Sequence, residues 1–318
     1  MRSLITQVCA TIALFLAVTL STGSLEIVRA QEPAAVIVTC TGDVQILAVD
    51  STPRDATFGD HLSPGETLRT AAESTVEFVL PNGTLLRLGP DSEMQVGSPA
   101  AGHDTAPSVG GSKGFEDVQQ LVTLKDHRGT SAMSALRSSS GVDAIDDLQP
   151  RETAILPGRP TFHWTTTDST AAMALRIYVS GALHHETIVE DTTAWTYPED
   201  APALTPGSMY SWFLEVDDPF AAPLRSPTAF FHVIHDEDAA ALEARLATIG
   251  EAGASPLARA ILRASAFRSH GLVRDAVHEI EAHRRESSSP ELDRVLVQLL
   301  IESGRAADAV TVLDGAED

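Results

Sequence analysis

Lysine is almost missing from this sequence. The 318-residue chain has 44 acidic residues against 22 basic ones, a formal net charge of −22, and its lysines are Lys113 and Lys125. Such a chain repels the phosphates of nucleic acids and of anionic lipid headgroups. The composition therefore argues against nucleic acid and anionic membrane surfaces as partners.

Aromatic residues and cysteine are also scarce. Aromatic residues make up 5% of a chain that is 43% hydrophobic, so its cores must be mainly aliphatic. The two cysteines are Cys9, inside the predicted export signal, and Cys40. Removal of the signal would leave Cys40 alone, and no internal disulfide could then form. Cys40 lies in a strand-like run, and we interpret it as a small buried hydrophobic residue.

Residues 1–30 have the pattern of an export signal. Arg2 provides the positive start, residues 8–20 are mostly apolar, and Ala30 offers a small residue for cleavage. The apolar run is shorter than the roughly 20 residues that span a bilayer. We expect cleavage after Ala30 and a periplasmic or secreted protein without an integral membrane span; a signal retained as an anchor is the alternative.

The clearest local pattern is a β-hairpin over residues 74–90. Pro81 fits the first turn position, and Gly83 fits a left-handed residue in a three-residue loop. The predicted register places Val76 opposite Leu88, Phe78 opposite Leu86 and Glu77 opposite Arg87. One face of the hairpin is then apolar.

Short strands separated by turns fill residues 36–96, and helical periodicity is absent. The order of the segments 42–44, 58–60, 62–70, 74–80, 82–84 and 86–92 resembles the FecR domain of bacterial envelope proteins, over residues 36–125. That resemblance implies a small all-β domain outside the cytoplasm. FecR itself signals through a membrane span to a sigma factor. Because the export signal begins at Met1 here, we expect ligand or partner binding instead.

Two segments are predicted to be linkers. Residues 97–114 contain few large apolar side chains, so we expect a loop or linker within the first domain, residues 31–125. Residues 115–124 could add one more helix or strand to that domain. Residues 126–149 are predicted to be a second, flexible linker.

Residues 150–235 are predicted to form a β-sandwich of about six strands. The segment Leu204 to Trp212 resembles the corner of fibronectin type III and related immunoglobulin-like domains. In those domains a tyrosine hydroxyl, here that of Tyr210, bonds back to the preceding bend. Tyr210 and Trp212 would share one face, where Phe162 and Trp164 could meet them from the other sheet.

Residues 236–318 change to a helical period of about 3.6. Gly271 and Asp275 recur as Gly304 and Asp308, and this internal repeat resembles degenerate tetratricopeptide helix pairs. We expect the helices to pack on the sandwich or on a partner. The predicted fold class is multidomain and mainly β with an α-helical C-terminus.

No catalytic, cofactor or metal site is predicted. The best metal candidate pairs His232 with His235, but these residues would point to opposite faces of a strand. Trp195 and Tyr197 are the one aromatic pair placed to contact a ligand or partner.

Two hypotheses follow. The first is a non-enzymatic exported envelope protein that acts as a binding, sensory or scaffold module, with another envelope protein as its partner. The alternative is a cell-wall or polysaccharide-binding module, or an accessory to a glycan-directed enzyme, with Trp195 and Tyr197 at the glycan.

Overall fold

The protein combines mainly antiparallel β-sheets with a helical C-terminal part. The computed structural model describes residues 32–48, 52–97, 108–123, 145–167, 172–216, 224–287 and 289–315. The predicted export signal and most of the linker predicted at 126–149 lie outside these residues. From Pro33 onward the chain forms one unit. Among the described residues, no helix is both long and apolar enough to cross a lipid bilayer.

The first β unit consists of two four-stranded sheets. Its strands are β1 (Ala35–Thr41), β2 (Val44–Leu47), β3 (Arg54–Asp55), β4 (His61–Leu62), β5 (Thr67–Thr70), β6 (Thr75–Val79), β7 (Leu85–Leu88) and β8 (Glu93–Gln95). One sheet has the order β4-β1-β6-β7 and the other β3-β2-β5-β8. Aliphatic side chains such as Ile37 and Leu68, together with Phe78, form a common buried core.

Strands β6 and β7 form the predicted hairpin. The three predicted residue pairs are all present. Leu80 donates its N–H to Thr84 O at 2.9 Å, as a three-residue loop requires, and Gly83 has a φ of 78°. The pattern predicts this register correctly because turn residues and strand alternation act locally.

The loop predicted at 97–114 ends earlier than expected, because helix α1 (Gly111–Val122) begins within it. Val109 is fully buried and donates its N–H to Gly83 O at 2.8 Å, so the chain has already returned to the hairpin. A Cβ at Gly83 would lie 2.4 Å from Gly111 O. Glycine is therefore required at this position by close packing as well as by the turn.

The second β unit is a sandwich of a five-stranded and a three-stranded sheet. Its strands are β9 (Ile145–Gln149), β10 (Thr153–Ile155), β11 (Thr161–Thr166), β12 (Met173–Val179), β13 (Ala182–Val189), β14 (Ala194–Thr196), β15 (Met209–Val216) and β16 (Ala229–Val233). The sheet orders are β10-β16-β15-β12-β13 and β14-β11-β9. Strand β9 lies inside the predicted linker 126–149, and Ile145 and Leu148 are buried in the sandwich core. The sandwich thus begins before residue 150.

The aromatic residues of the sandwich lie as the sequence predicts. Thr205 donates its N–H to Tyr210 Oη at 2.8 Å. The rings of Phe162 and Trp212 meet edge to face with centroids 4.8 Å apart. Trp164 belongs to the same core.

Within the described residues, five helices follow the sandwich: α2 (Asp236–Glu251), α3 (Pro256–Ser269), α4 (Val273–Glu286), α5 (Pro290–Glu302) and α6 (Ala306–Gly315). Ser255 accepts a hydrogen bond from Ala258 N–H at the start of α3. Ser289 accepts one from Leu292 N–H at the start of α5. In both helices proline occupies the first turn, where its missing N–H costs nothing.

The apolar core of the helices extends onto the first β unit, which the sequence does not predict. Val36 and Val38 of β1 are buried in one cluster with Ile261 of α3 and with residues of α1. Strand β1 is thus covered on both faces, because Ile37 points into the core between the two sheets. The helices also meet the sandwich, where Ala154 donates its N–H to Gly271 O at 2.9 Å.

Candidate binding groove in the C-terminal helices

Helices α4, α5 and α6 line an open groove of about 650 Å³. Leu296, Leu300 and Val312 contribute apolar side chains to its floor. The rest of the described lining is polar or charged: Glu281, Arg284, Arg285, Asp308 and Thr311. We call this cavity the C-terminal groove.

Two glycine turns join consecutive helices in this part of the chain: Gly271 lies between α3 and α4, and Gly304 lies between α5 and α6. Gly271 and Gly304 have φ values of 75° and 77°, which favour glycine. After the first turn, Leu272 donates its N–H to Phe267 O at 3.0 Å; after the second, Arg305 donates its N–H to Leu300 O at 2.8 Å. The two turns therefore have the same local geometry, as the recurrence in the sequence suggests.

Ion pairs hold most of the charged side chains at the groove. Arg284 Nε lies 2.5 Å from Asp293 Oδ1, and Arg305 bridges Asp308 at 2.7 Å and Glu281 at 3.4 Å. Since these pairs are partly exposed, each contributes at most about 1 kcal/mol to stability. Their main effect is to restrict the side chains around the floor.

Arg285, at the rim of the groove, differs from these charged side chains because its hydrogen bond goes to a backbone carbonyl oxygen. It is exposed, and its Nε donates to the carbonyl oxygen of Glu281 at 3.2 Å. Together with the apolar floor, this guanidinium suits contact with a protein segment that offers an apolar side chain beside an acceptor.

Trp195 and Tyr197, the predicted contact pair, lie together, with ring centroids 5.7 Å apart. Tyr197, however, is only 2% exposed and donates its hydroxyl to Pro202 O at 2.6 Å. Burial, with a smaller contribution from Tyr210, raises the pKa of Tyr197 to about 12. Only Trp195 of the pair is available for surface contact.

Trp195 itself is half-buried between two rings. Its centroid lies 5.7 Å from that of Phe162 and 5.5 Å from that of His185, against which it stacks. Burial, then the neighbouring His184, lowers the pKa of His185. Within the described part of the chain, the buried Nε2 of His185 has no hydrogen-bond partner. A neutral imidazole therefore supports one side of Trp195.

Replacing Trp195 by alanine is expected to lower the free energy of unfolding by about 2 kcal/mol, because a half-buried ring leaves a void against Phe162. Urea denaturation measures the change, with Thr196→Ala at the exposed neighbouring position as the control. Unchanged stability, combined with lost retention on a polysaccharide gel, would contradict this packing role and favour glycan contact.

The two histidines considered for a metal site, His232 and His235, do not lie on opposite faces of one strand as predicted. Strand β16 ends at Val233, so His235 has left the strand and precedes α2. His232 and His235 both line a second pocket of about 300 Å³, together with His270 from the end of α3. Across the residues that the structure describes, no group of three or more His, Cys, Asp or Glu side chains could hold a metal ion.

The groove itself is missed by the sequence reasoning. Its floor residues lie on three helices, and each of them fits an ordinary buried helical position. The recurring Gly271 and Gly304 are the available signal, because two equal turns predict stacked helices with a shared concave side. The sequence holds no comparable signal for the charged rim.

Comparisons with known proteins leave the family open. No family model matches the chain, and no curated protein matches it. One solved structure with local similarity is Drosophila OTK, extracellular domains 3-5, at 12% sequence identity and a TM-score of 0.21. The match covers 30% of this chain and 37% of that one, about a third of its length. A likeness this weak carries no argument about fold or function.

Proposed function

We propose that this protein is a non-enzymatic, exported binding or scaffold protein of the bacterial envelope that holds a protein partner in the C-terminal groove. The observation that carries the proposal is the groove itself, with an apolar floor and a charged rim on three stacked helices. Such concave helical surfaces bind extended or helical segments of other proteins.

The domain identities are part of the proposal. Strand order and the Thr205–Tyr210 hydrogen bond support a fibronectin-like sandwich for the second β unit. The equal turns at Gly271 and Gly304 support tetratricopeptide-like helix pairs. For the first β unit, the FecR-like identity rests on the resemblance of its sequence. Export, periplasmic or secreted location and an envelope partner rest likewise on the sequence.

A rigid connection between the parts suits a scaffold. The helices share one buried cluster with the first β unit, and they bond to the sandwich through Gly271. A force applied by a partner bound in the groove would therefore be transmitted to both β units through packed side chains rather than through a linker. Truncation after His235 would uncover Val36 and Val38, so deleting the helices is a poor test of docking.

The test is in-cell cross-linking of the chain carrying Thr311→Arg. Thr311 is exposed and lines the groove, so arginine there should obstruct the floor without disturbing buried packing. We expect the partner captured by the natural chain to be lost. The control is Leu313→Arg, which changes an exposed residue of the same helix outside the groove lining. Capture that survives Thr311→Arg would refute docking in the groove.

A further inference from the structure

Strand β13 is the longest sheet edge in the described part of the chain. It has eight residues and pairs with β12 on one side, whereas the next longest edge strand, β9, has five. On the outer side of an edge strand, backbone N–H and C=O groups are free to pair with another strand. The chemistry of such an edge selects an extended segment as its occupant.

A bulge near the start of β13 determines which side chains accompany this edge. Ile177 of β12 pairs with His185, but the next residue, Tyr178, pairs with Leu183, so His184 is the extra residue. Leu183, Glu186 and Ile188 consequently lie on the outer face, where Leu183 and Ile188 are 52% and 47% exposed.

Beyond the bulge, the edge lacks the usual protection against strand addition. From His185 to Val189 each residue pairs in regular register with β12. Natural edges are commonly blunted by lysine, proline or inward-pointing charges. This segment has neither lysine nor proline, and its one carboxylate, Glu186, points outward beside Arg176 at 3.0 Å. Arg176 also contacts Glu215, so the three side chains keep one net negative charge.

A second copy of this chain fits the edge poorly. Two antiparallel copies of β13 related by a two-fold axis at Glu186 would place the two glutamates opposite each other. An axis at Ile188 would place Glu186 opposite Glu190, and an axis at Thr187 would place it opposite Ile188. Each copy also has a net charge of −22, which opposes association.

We propose that the free edge of β13 binds an extended segment of another protein by β-strand addition. The segment carries a basic residue opposite Glu186 and an apolar residue two positions away, opposite Ile188. This edge lies on the sandwich, apart from the C-terminal groove, and the inference does not rest on docking in that groove.

Two short fluorescent peptides that alternate valine with threonine test the proposal. One has lysine and the other glutamate at a central valine position, and each is titrated against the purified chain by fluorescence anisotropy. We expect the lysine peptide to bind about fivefold more tightly, since opposite and like charges across a strand pair differ by about 1 kcal/mol. N-methylation of alternate backbone amides in the register that faces β13 should abolish binding.

The variant Glu186→Lys should reverse the preference, whereas Glu243→Lys, the same charge change on the exposed face of α2, should leave it unchanged. Thr311→Arg should also leave it unchanged, which separates this edge from the groove. Lack of saturable binding, or a lysine preference that survives Glu186→Lys, would overturn the proposal. The proposal would also be overturned if the chain forms a dimer in sedimentation and Glu186→Lys abolishes that dimer, because a second copy would then occupy the edge.

Discussion

Replacing Arg245 by alanine is expected to lower the free energy of unfolding by about 3–5 kcal/mol. Its Nη1 lies 2.6 Å from Asp117 Oδ2, and the two side chains are only 9% and 10% exposed. Its Nε also donates to the buried carbonyl of Val109 at 3.2 Å. Alanine would leave the Asp117 carboxylate buried without a counter-charge. Urea denaturation of the purified chain measures the loss.

The double replacement Arg245→Met with Asp117→Leu is expected to cost less than either single replacement. Removing both charges avoids a lone buried ion, and one Arg245 nitrogen, Nη2, is already buried without a partner among the described residues. Arg69→Ala is the matched control, because its pair with Glu93 is half-exposed and should change stability by less than about 1 kcal/mol. Additive losses in the double variant would contradict the ion-pair interpretation.

Replacing Glu77 by alanine is expected to lower the free energy of unfolding by a similar amount, about 3–5 kcal/mol. Glu77 is 2% exposed. Its carboxylate accepts hydrogen bonds from the hydroxyl of Thr39 at 2.9 Å, from the N–H of Ser255 at 2.9 Å, and from the Ser255 hydroxyl. Alanine would take the acceptor away from these donors, of which the Thr39 hydroxyl is buried and the two of Ser255 are partly buried.

Two comparisons test this role of Glu77. Ser255→Ala should cost about 1–3 kcal/mol, because it removes both the α3 cap and a donor to the carboxylate. A double-mutant cycle should then show strong coupling between Glu77 and Ser255. Arg87→Ala should have little effect, although Arg87 lies opposite Glu77 in the hairpin. A larger loss for Arg87→Ala than for Ser255→Ala would show that the cross-strand pair is the important one.

Glu77 shows how a correct local prediction misses the tertiary role of a residue. The hairpin pattern places Glu77 opposite Arg87 correctly, because that register depends on neighbouring turn and strand residues. The sequence does not indicate that Ser255, 178 positions away, would cover the same face. The carboxylate that the hairpin pattern places opposite Arg87 is therefore buried at the start of a helix.

The predicted contact pair shows the same division. Trp195 and Tyr197 do share one region because alternate strand residues point to one side. Which of them reaches the surface depends on the opposite sheet and on the loop that supplies Pro202. The structure accordingly buries Tyr197 and supports Trp195 with His185.

Sequence by itself determined the local features: the hairpin register, the tyrosine corner at Tyr210, and a β-rich chain with a helical C-terminal part. These depend on short-range turn chemistry and periodicity. Only the tertiary structure decided that the helices cover β1, that Arg245 meets Asp117, and that three helices line a groove. Such contacts join residues far apart in the chain, and burial selects them from many apolar faces of similar pattern.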